Sequence, residues 1–319
     1  MIEMLILLFF SSLLLLYFAN KIVIEGLSNL GKILSLREFV VAFFIMAFAA
    51  SLPNLFLGII SALKGIPELS MGDVIGGNIV DLSLTIGLAG LIAKEEIKAS
   101  SRMVQGSSLF TFLVAILPIL LILDGTLSRT DGIILLLSFI GYSIWLFSKS
   151  ERYTKIYDEN GNNFENKKNL FFEIIKIAVG LFLILFASFC VVKTAQELSV
   201  LFSWKIETIG LLIVGLANCL PELSFAIICA KKNETWMILG DLMGSIVVPA
   251  TLVLGIVAII SPIFVSNFNA LIVAGIFLLI SATLFYIFTK TEKIITKKES
   301  IFLLFIYIFF LIFEILIYF

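Results

Sequence analysis

The sequence contains no histidine. That removes imidazole proton relays and most transition-metal sites, so any ion site must be built from oxygen, which suits sodium, calcium or magnesium. Cysteine is scarce: Cys190, Cys219 and Cys229 form no Cys-x-x-Cys pattern and read as packing residues, not as a redox or zinc site. Charge is scarce as well, at 14% of the 319 residues against 61% hydrophobic, with a mean hydropathy of +1.15. This excludes a soluble globular domain. A long polar stretch occurs once, "KSERYTKIYDENGNNFENKKN" at 149–169, and it is too short to fold as a regulatory calcium-binding domain. No nucleophile-plus-base pair and no phosphate loop is apparent, so an enzyme is not expected.

What is present is apolar sequence in long runs. A stretch of roughly 18 or more apolar residues crosses a bilayer as a helix, because every backbone polar group must be satisfied within the segment. Ten such spans are expected, at 4–20, 38–63, 70–93, 106–123, 131–148, 169–192, 207–230, 237–260, 267–289 and 300–318. Glu3 precedes the first run where a signal peptide would carry a basic cluster, so that run reads as a retained helix. The expected class is an all-α membrane protein of two five-helix units, 1–148 and 169–319, joined by a linker loop at 149–168. With ten spans, the loops on one side hold 18 of the 22 Lys and Arg, counting Lys176; the other side has Lys64, Arg129, Lys193 and Lys205. The positive-inside rule makes the first side cytoplasmic and both termini external, most simply in a plasma membrane. The expected partners are the lipid bilayer and inorganic cations, with no nucleic acid and no cofactor.

The two units are copies. "SLPNLFLGIISALK" (51–64) aligns with "CLPELSFAIICAKK" (219–232) at an offset of 168, and the same offset pairs "GDVIGGNIVDLSLTIGL" (72–88) with "GDLMGSIVVPATLVLGI" (240–256). Over 51–88, 13 of 38 positions are identical, where chance would give about three or four; similarity at a fixed offset is what duplication leaves. The offset contains five crossings, an odd number, so the copies run in opposite directions through the membrane. Inverted repeats of this kind are common in secondary transporters, which bind substrate near the midplane between them.

The repeated segments carry polar residues at membrane depth. Pro53 and Pro221 fall inside the second and seventh spans, where each is expected to release a carbonyl four residues back, those of Ala49 and Ala217. Each is followed by a polar residue, Asn54 or Glu222. An ionised carboxylate at the centre of a span costs about 2.5–3.5 kcal/mol on insertion scales, so Glu222 needs a cation or a proton and a cavity to face. In the third span Asp73, Gly77 and Asp81 recur every four residues along one face, with Asp241, Ser245 and Pro249 as their counterparts in the eighth. Asp81 is expected to be deepest and Asp73 nearer the rim. Asp73 and Asp241 have two open readings, as residues favoured by the helix macrodipole and as part of an ion entrance. Gly72, Gly76 and Gly77, with Gly240 and Gly244, leave room for close helix approach. Ser51, Asn218 and Cys219 adjoin the prolines and join the candidate ligands; Ser224 and Asn78 read as interhelical hydrogen bonds, and Glu173, Glu197 and Glu314 as interfacial.

The "SLPN" and "CLPE" elements, each followed about 20 residues later by a Gly-Asp-x-x-Gly helix start, resemble the sodium/calcium exchanger family of the cation/calcium antiporter superfamily. The resemblance covers the whole chain. It implies ten helices, a central site between the second, third, seventh and eighth, and exchange of calcium for sodium or protons. Carried over by position, that site comprises Ala50, Ser51, Asn54, Gly77 and Asp81, with Asn218, Cys219, Glu222, Ser245 and Pro249. The sequence departs from the family where a glutamate is expected at Asn54, an acid at Pro249 and an asparagine at Asp81. Two central carboxylates, Glu222 and Asp81, remain. They repel each other unless neutralised by one divalent cation, two sodium ions or two protons, which couples influx of one ion to efflux of another by alternating access. The loss of a third acid implies electroneutral turnover. The altered site also leaves a second reading, a non-transporting sensor or scaffold derived from an exchanger.

Overall fold

The computed structural model describes residues 2–33, 46–100, 102–149, 165–233, 235–265 and 268–318. Among these, nine helices are long and apolar enough to span a bilayer. The tenth expected span is represented by α2 (Met46–Ala50) and α3 (Leu52–Leu63); the first part of the 38–63 prediction lies outside the described residues. Of the expected linker, 150–164 also lies outside them, and its last residues are already helical.

In chain order the first copy contains α1 (Ile2–Ile33), α2, α3, α4 (Glu68–Ile79), α5 (Ile86–Ile92), α6 (Arg102–Leu121) and α7 (Arg129–Lys149). The second contains α8 (Glu165–Phe202), α9 (Ile206–Thr208), α10 (Gly215–Asn218), α11 (Leu220–Lys232), α12 (Thr235–Val248), α13 (Leu254–Ile260), α14 (Phe268–Lys290) and α15 (Lys297–Tyr318). The first and sixth expected spans prove much longer, because hydropathy marks lipid contact while a helix continues past it. Beyond Asn20, α1 stays against α8 through the Glu25–Lys176 ion pair at 3.1 Å and an Asn29 amide donating to Glu173 at 3.0 Å.

Two spans occupy the centre. Glu68–Ile92 and Met237–Ile260 are each 78% buried over their most apolar window, against 22–44% for the other seven. They are repeat counterparts, and both are α-helices interrupted by a π-helical turn at the same place, Val80–Thr85 in one and Pro249–Val253 in the other. A π turn disturbs the regular ladder and loosens carbonyls at membrane depth, which Ser and Thr side chains can satisfy again. Here the Ser83 hydroxyl donates to Ile79 O, and at the related position Thr251 donates to Val247 O at 2.6 Å.

Two short antiparallel ribbons display the inversion. β1 (Ile97–Lys98) pairs with β4 (Ile294–Ile295), and β2 (Thr126–Leu127) with β3 (Ile263–Phe264). The repeat offset carries β2 onto β4 and places β1 two residues beyond β3, so the ribbons are repeat counterparts with a two-residue slip in one strand. β1 and β4 lie in loops that the odd-numbered crossings place on the basic side, and β2 and β3 in loops on the opposite side, so each ribbon joins the two copies at its own face.

Candidate functional site

Both proline-bearing spans break one residue before their Leu-Pro. Ser51 separates α2 from α3 and Cys219 separates α10 from α11, each at ψ near zero with Pro in the first turn of the following helix. Proline is tolerated there because the first N–H groups of a helix have no intrahelical acceptor. The side chain that meets the freed backbone was not foreseen. Asn20 of α1 donates to the carbonyl of Ala50 at 3.3 Å, one residue on from the Ala49 expected.

The breaks, the π turns and the start of α4 bring the candidate residues into three groups. In the first, Asp81 is the second residue of the π turn and accepts the Ser245 hydroxyl of α12 at 2.8 Å and that of Thr85 at 3.4 Å. The Cys219 thiol donates to Gly77 O beside it, at 3.4 Å. Ser245 and Cys219 come from the second copy and Asp81 from the first, so the site straddles the repeat boundary. Thr85 was missed by sequence reasoning; its spacing of four from Asp81 on a helix was the available signal.

The second group corrects an expectation. Asp73 is not at the rim. It is fully buried, with Oδ1 accepting the Asn218 amide at 2.8 Å and Oδ2 accepting the Asn54 amide at 3.0 Å. Two residues foreseen as ion ligands therefore hold this carboxylate, one from each copy. The cause is the close approach of α4 to the segment from α9 to α10, where a Cβ added to Gly76 would stand 2.0 Å from Leu211 O, and one on Gly72 2.1 Å from Glu207 O. Only glycine permits that contact.

The third group is open. Glu222 and Asp241 line a cavity of about 280 Å³ together with Ala50, the α1 residues Tyr17, Lys21 and Glu25, and Ser224 of α11. Glu222 is 5% exposed, and its Oε2 has no hydrogen-bond partner. It lies within electrostatic reach of Asp81, Asp241 and Asp73. Ser224, expected to form an interhelical hydrogen bond, pairs with the Tyr17 hydroxyl at 3.3 Å in the cavity wall.

Ser51 is buried at the break, in the place corresponding to Cys219. Glu314, expected at the interface, is instead wholly buried, with neither carboxylate oxygen partnered. Among the described residues no group of three or more His, Cys, Asp or Glu side chains is placed to hold a metal ion. What the geometry offers is buried carboxylates within electrostatic reach of one another, supplemented by hydroxyl, amide and carbonyl oxygens, which is hard-cation chemistry.

Comparison with known proteins follows the same division. The family model described as sodium/calcium exchanger protein matches twice, over residues 4–148 and 172–316, in the 168-residue register of the repeat. A membrane protein of Methanocaldococcus jannaschii is 26% identical over 90% of both chains, and the sodium/calcium exchanger MaX1 of Methanosarcina acetivorans is 23% identical over 91% of this chain and 92% of its own. Solved structures of the sodium-calcium exchanger NCX_Mj, soaked with 10 mM Na+ or with 2.5 mM Na+ and 1 mM Sr2+, superpose with a TM-score of 0.67 at 25% and 26% identity, covering 97% of this chain and 98% of that one. Two matches in the register of an inverted duplication, over nearly all of the chain, establish that it belongs to the sodium/calcium exchanger family.

Proposed function

We propose that the protein is a secondary active antiporter that exchanges Ca2+, or another hard divalent cation, for Na+ by alternating access. One observation carries the reading: Glu222 from the second copy reaches the electrostatic field of Asp81 from the first, beside a cavity that admits water. Two such carboxylates in a medium of low dielectric repel each other unless a divalent cation, two monovalent cations or protons neutralise them. Asp81, Glu222 and Ser245 are the central ligands in this proposal, with Ser51, Cys219 and backbone carbonyls at the helix breaks beside them. Asn54 and Asn218 act on the ion through Asp73, and Asp241 stands at the cavity.

Likeness to sodium/calcium exchangers supports calcium and sodium as the exchanged ions; the replacement of acids by Asn54 and Pro249 gives proton coupling its place as the second reading. In the proposed orientation the basic side, with the 149–168 linker, is cytoplasmic in a plasma membrane and both termini are external. The test is flux of radioactive calcium into proteoliposomes, driven in turn by a sodium gradient and by a pH gradient. Uptake driven by sodium alone supports the first reading and uptake driven by pH alone the second. No uptake with either gradient would leave the protein a non-transporting scaffold.

A further inference from the structure

The two copies close their halves of the molecule by different chemistry. In the first, Asp73 is sealed by two amides, each carboxylate oxygen accepting one N–H. The repeat offset carries Asp73 onto Asp241, Asn54 onto Glu222 and Asn218 onto Ala50. The equivalent place in the second copy therefore has two carboxyl groups and a methyl group, and no amide. An amide donates to a carboxylate unaided; a second carboxylate cannot donate, and repels it.

The structure is open at that place. Glu222, Asp241 and Ala50 all border the cavity; Glu222 and Asp241 are each more than nine-tenths buried, and Glu222 Oε2 lies beside the cavity without a hydrogen-bond partner. The cavity leads along the later turns of α1 and α11 toward the basic face, where α11 ends in Lys231 and Lys232. Its other charged groups are Lys21 and Glu25, the latter paired with Lys176. Asp81 and Asp73, which do not line the cavity, lie within electrostatic reach of Glu222. The hydroxyls of Tyr17 and Ser224 supply neutral oxygen in the wall.

We infer that Glu222 and Asp241 form a second site for a hard metal cation on the basic side of the molecule, and that this side closes only when the site is filled. The inference rests on the exchanger reading for the need to close, not for the site itself. Glu222 would be shared between this site and the central one with Asp81, so an ion passing between them exchanges one carboxylate partner for another. The opposite side needs no ion to close, because Asn54 and Asn218 already supply its donors. Without metal the protein therefore rests with the basic side open.

Closure can be read without measuring transport. Ile228 lines the cavity and is 51% exposed, so Ile228→Cys reports access to a bulky hydrophilic maleimide on detergent-solubilised protein, with labelling of the parent chain subtracted. In choline chloride labelling should be fast; at equal ionic strength CaCl2 or NaCl should slow it about fivefold or more. Asp241→Asn places an amide opposite Glu222, as Asn54 stands opposite Asp73, and should label slowly in choline and be indifferent to metal. Asp241→Glu should keep the dependence on metal, at a shifted concentration, which separates the effect from misfolding. An Asp241→Asn protein that stays fast in choline and is slowed by calcium or sodium as the parent is would overturn the site. Slowing by acid alone, with no response to either metal, would overturn it as a metal site. Failure of calcium flux with the labelling pattern intact would reject the exchanger reading and leave this one standing.

Discussion

The amide of Asn218 donates to Asp73 Oδ1 across 2.8 Å, joining residues 145 apart in sequence and on opposite copies of the repeat. With Asn54 on the other oxygen, it leaves the buried carboxylate satisfied by protein alone. Replacing Asn218 by leucine leaves an acceptor without its donor, which costs about 1–3 kcal/mol in a buried place. The thermal midpoint of the detergent-solubilised protein should fall accordingly, and an unchanged midpoint would show that this contact does not hold the copies together.

Glu222→Gln and Asp81→Asn each remove one of the two central negative charges while preserving shape. Calcium uptake into proteoliposomes should drop to the background of empty vesicles for both, with gel-filtration profiles unchanged. A Glu222→Gln protein that transports normally would move the ion path elsewhere.

Gly76 has no room for a side chain, since its Cβ would meet the Leu211 carbonyl oxygen at 2.0 Å. Gly76→Ala must push α4 away from the second copy, and overpacking of this kind costs about 1–3 kcal/mol. Thermal unfolding followed by intrinsic fluorescence measures it. Gly141, around which nothing lies within 4 Å, is the control and should accept alanine without loss.

Two central carboxylates balance one divalent cation against two monovalent ones, so turnover should move no net charge. Calcium uptake should not respond to a potassium diffusion potential imposed with valinomycin. Uptake that follows the potential would require a third charge in the cycle.

Outside the membrane the charges matter little. The hydrogen bond from Lys98, with a smaller one from Asn233, holds the Glu95 carboxyl below the usual carboxylate range. A lowered value adds stability above the ordinary carboxylate pKa and loses it as the pH falls through the folded one. Yet Glu95 and Lys98 are 54% and 61% exposed, so solvent screens the pair. Glu95→Gln should leave the thermal midpoint unchanged at neutral and at mildly acid pH.

Much of this architecture was legible in the residues. The spacing between "SLPN" and "CLPE" gave the duplication and the parity of the crossings gave its inversion, while the acids at membrane depth gave Asp81 and Glu222 as candidates. The π turns at Asp81 and Pro249 were not legible, because a single π turn has no residue pattern of its own and is fixed by tertiary packing. The position of Asp73 was misjudged from its place near a helix start; depth in a membrane protein depends also on what lies beyond the helix end, and here the α9–α10 segment covers it. Asn20 escaped notice because a lone amide in a first helix gives no sign of which backbone break it will meet.

The paired ribbons carry a consequence for the origin of the chain. Each staples a loop of one half to a loop of the other, and the amides that seal Asp73 likewise come from both halves. Before the gene doubled, such bonds could have been made only between separate molecules, one inserted upright and its twin upside down. An undoubled forebear that paired in this way would have had to insert in both orientations; once there were two copies the twins could diverge, one with amides where the other has acids.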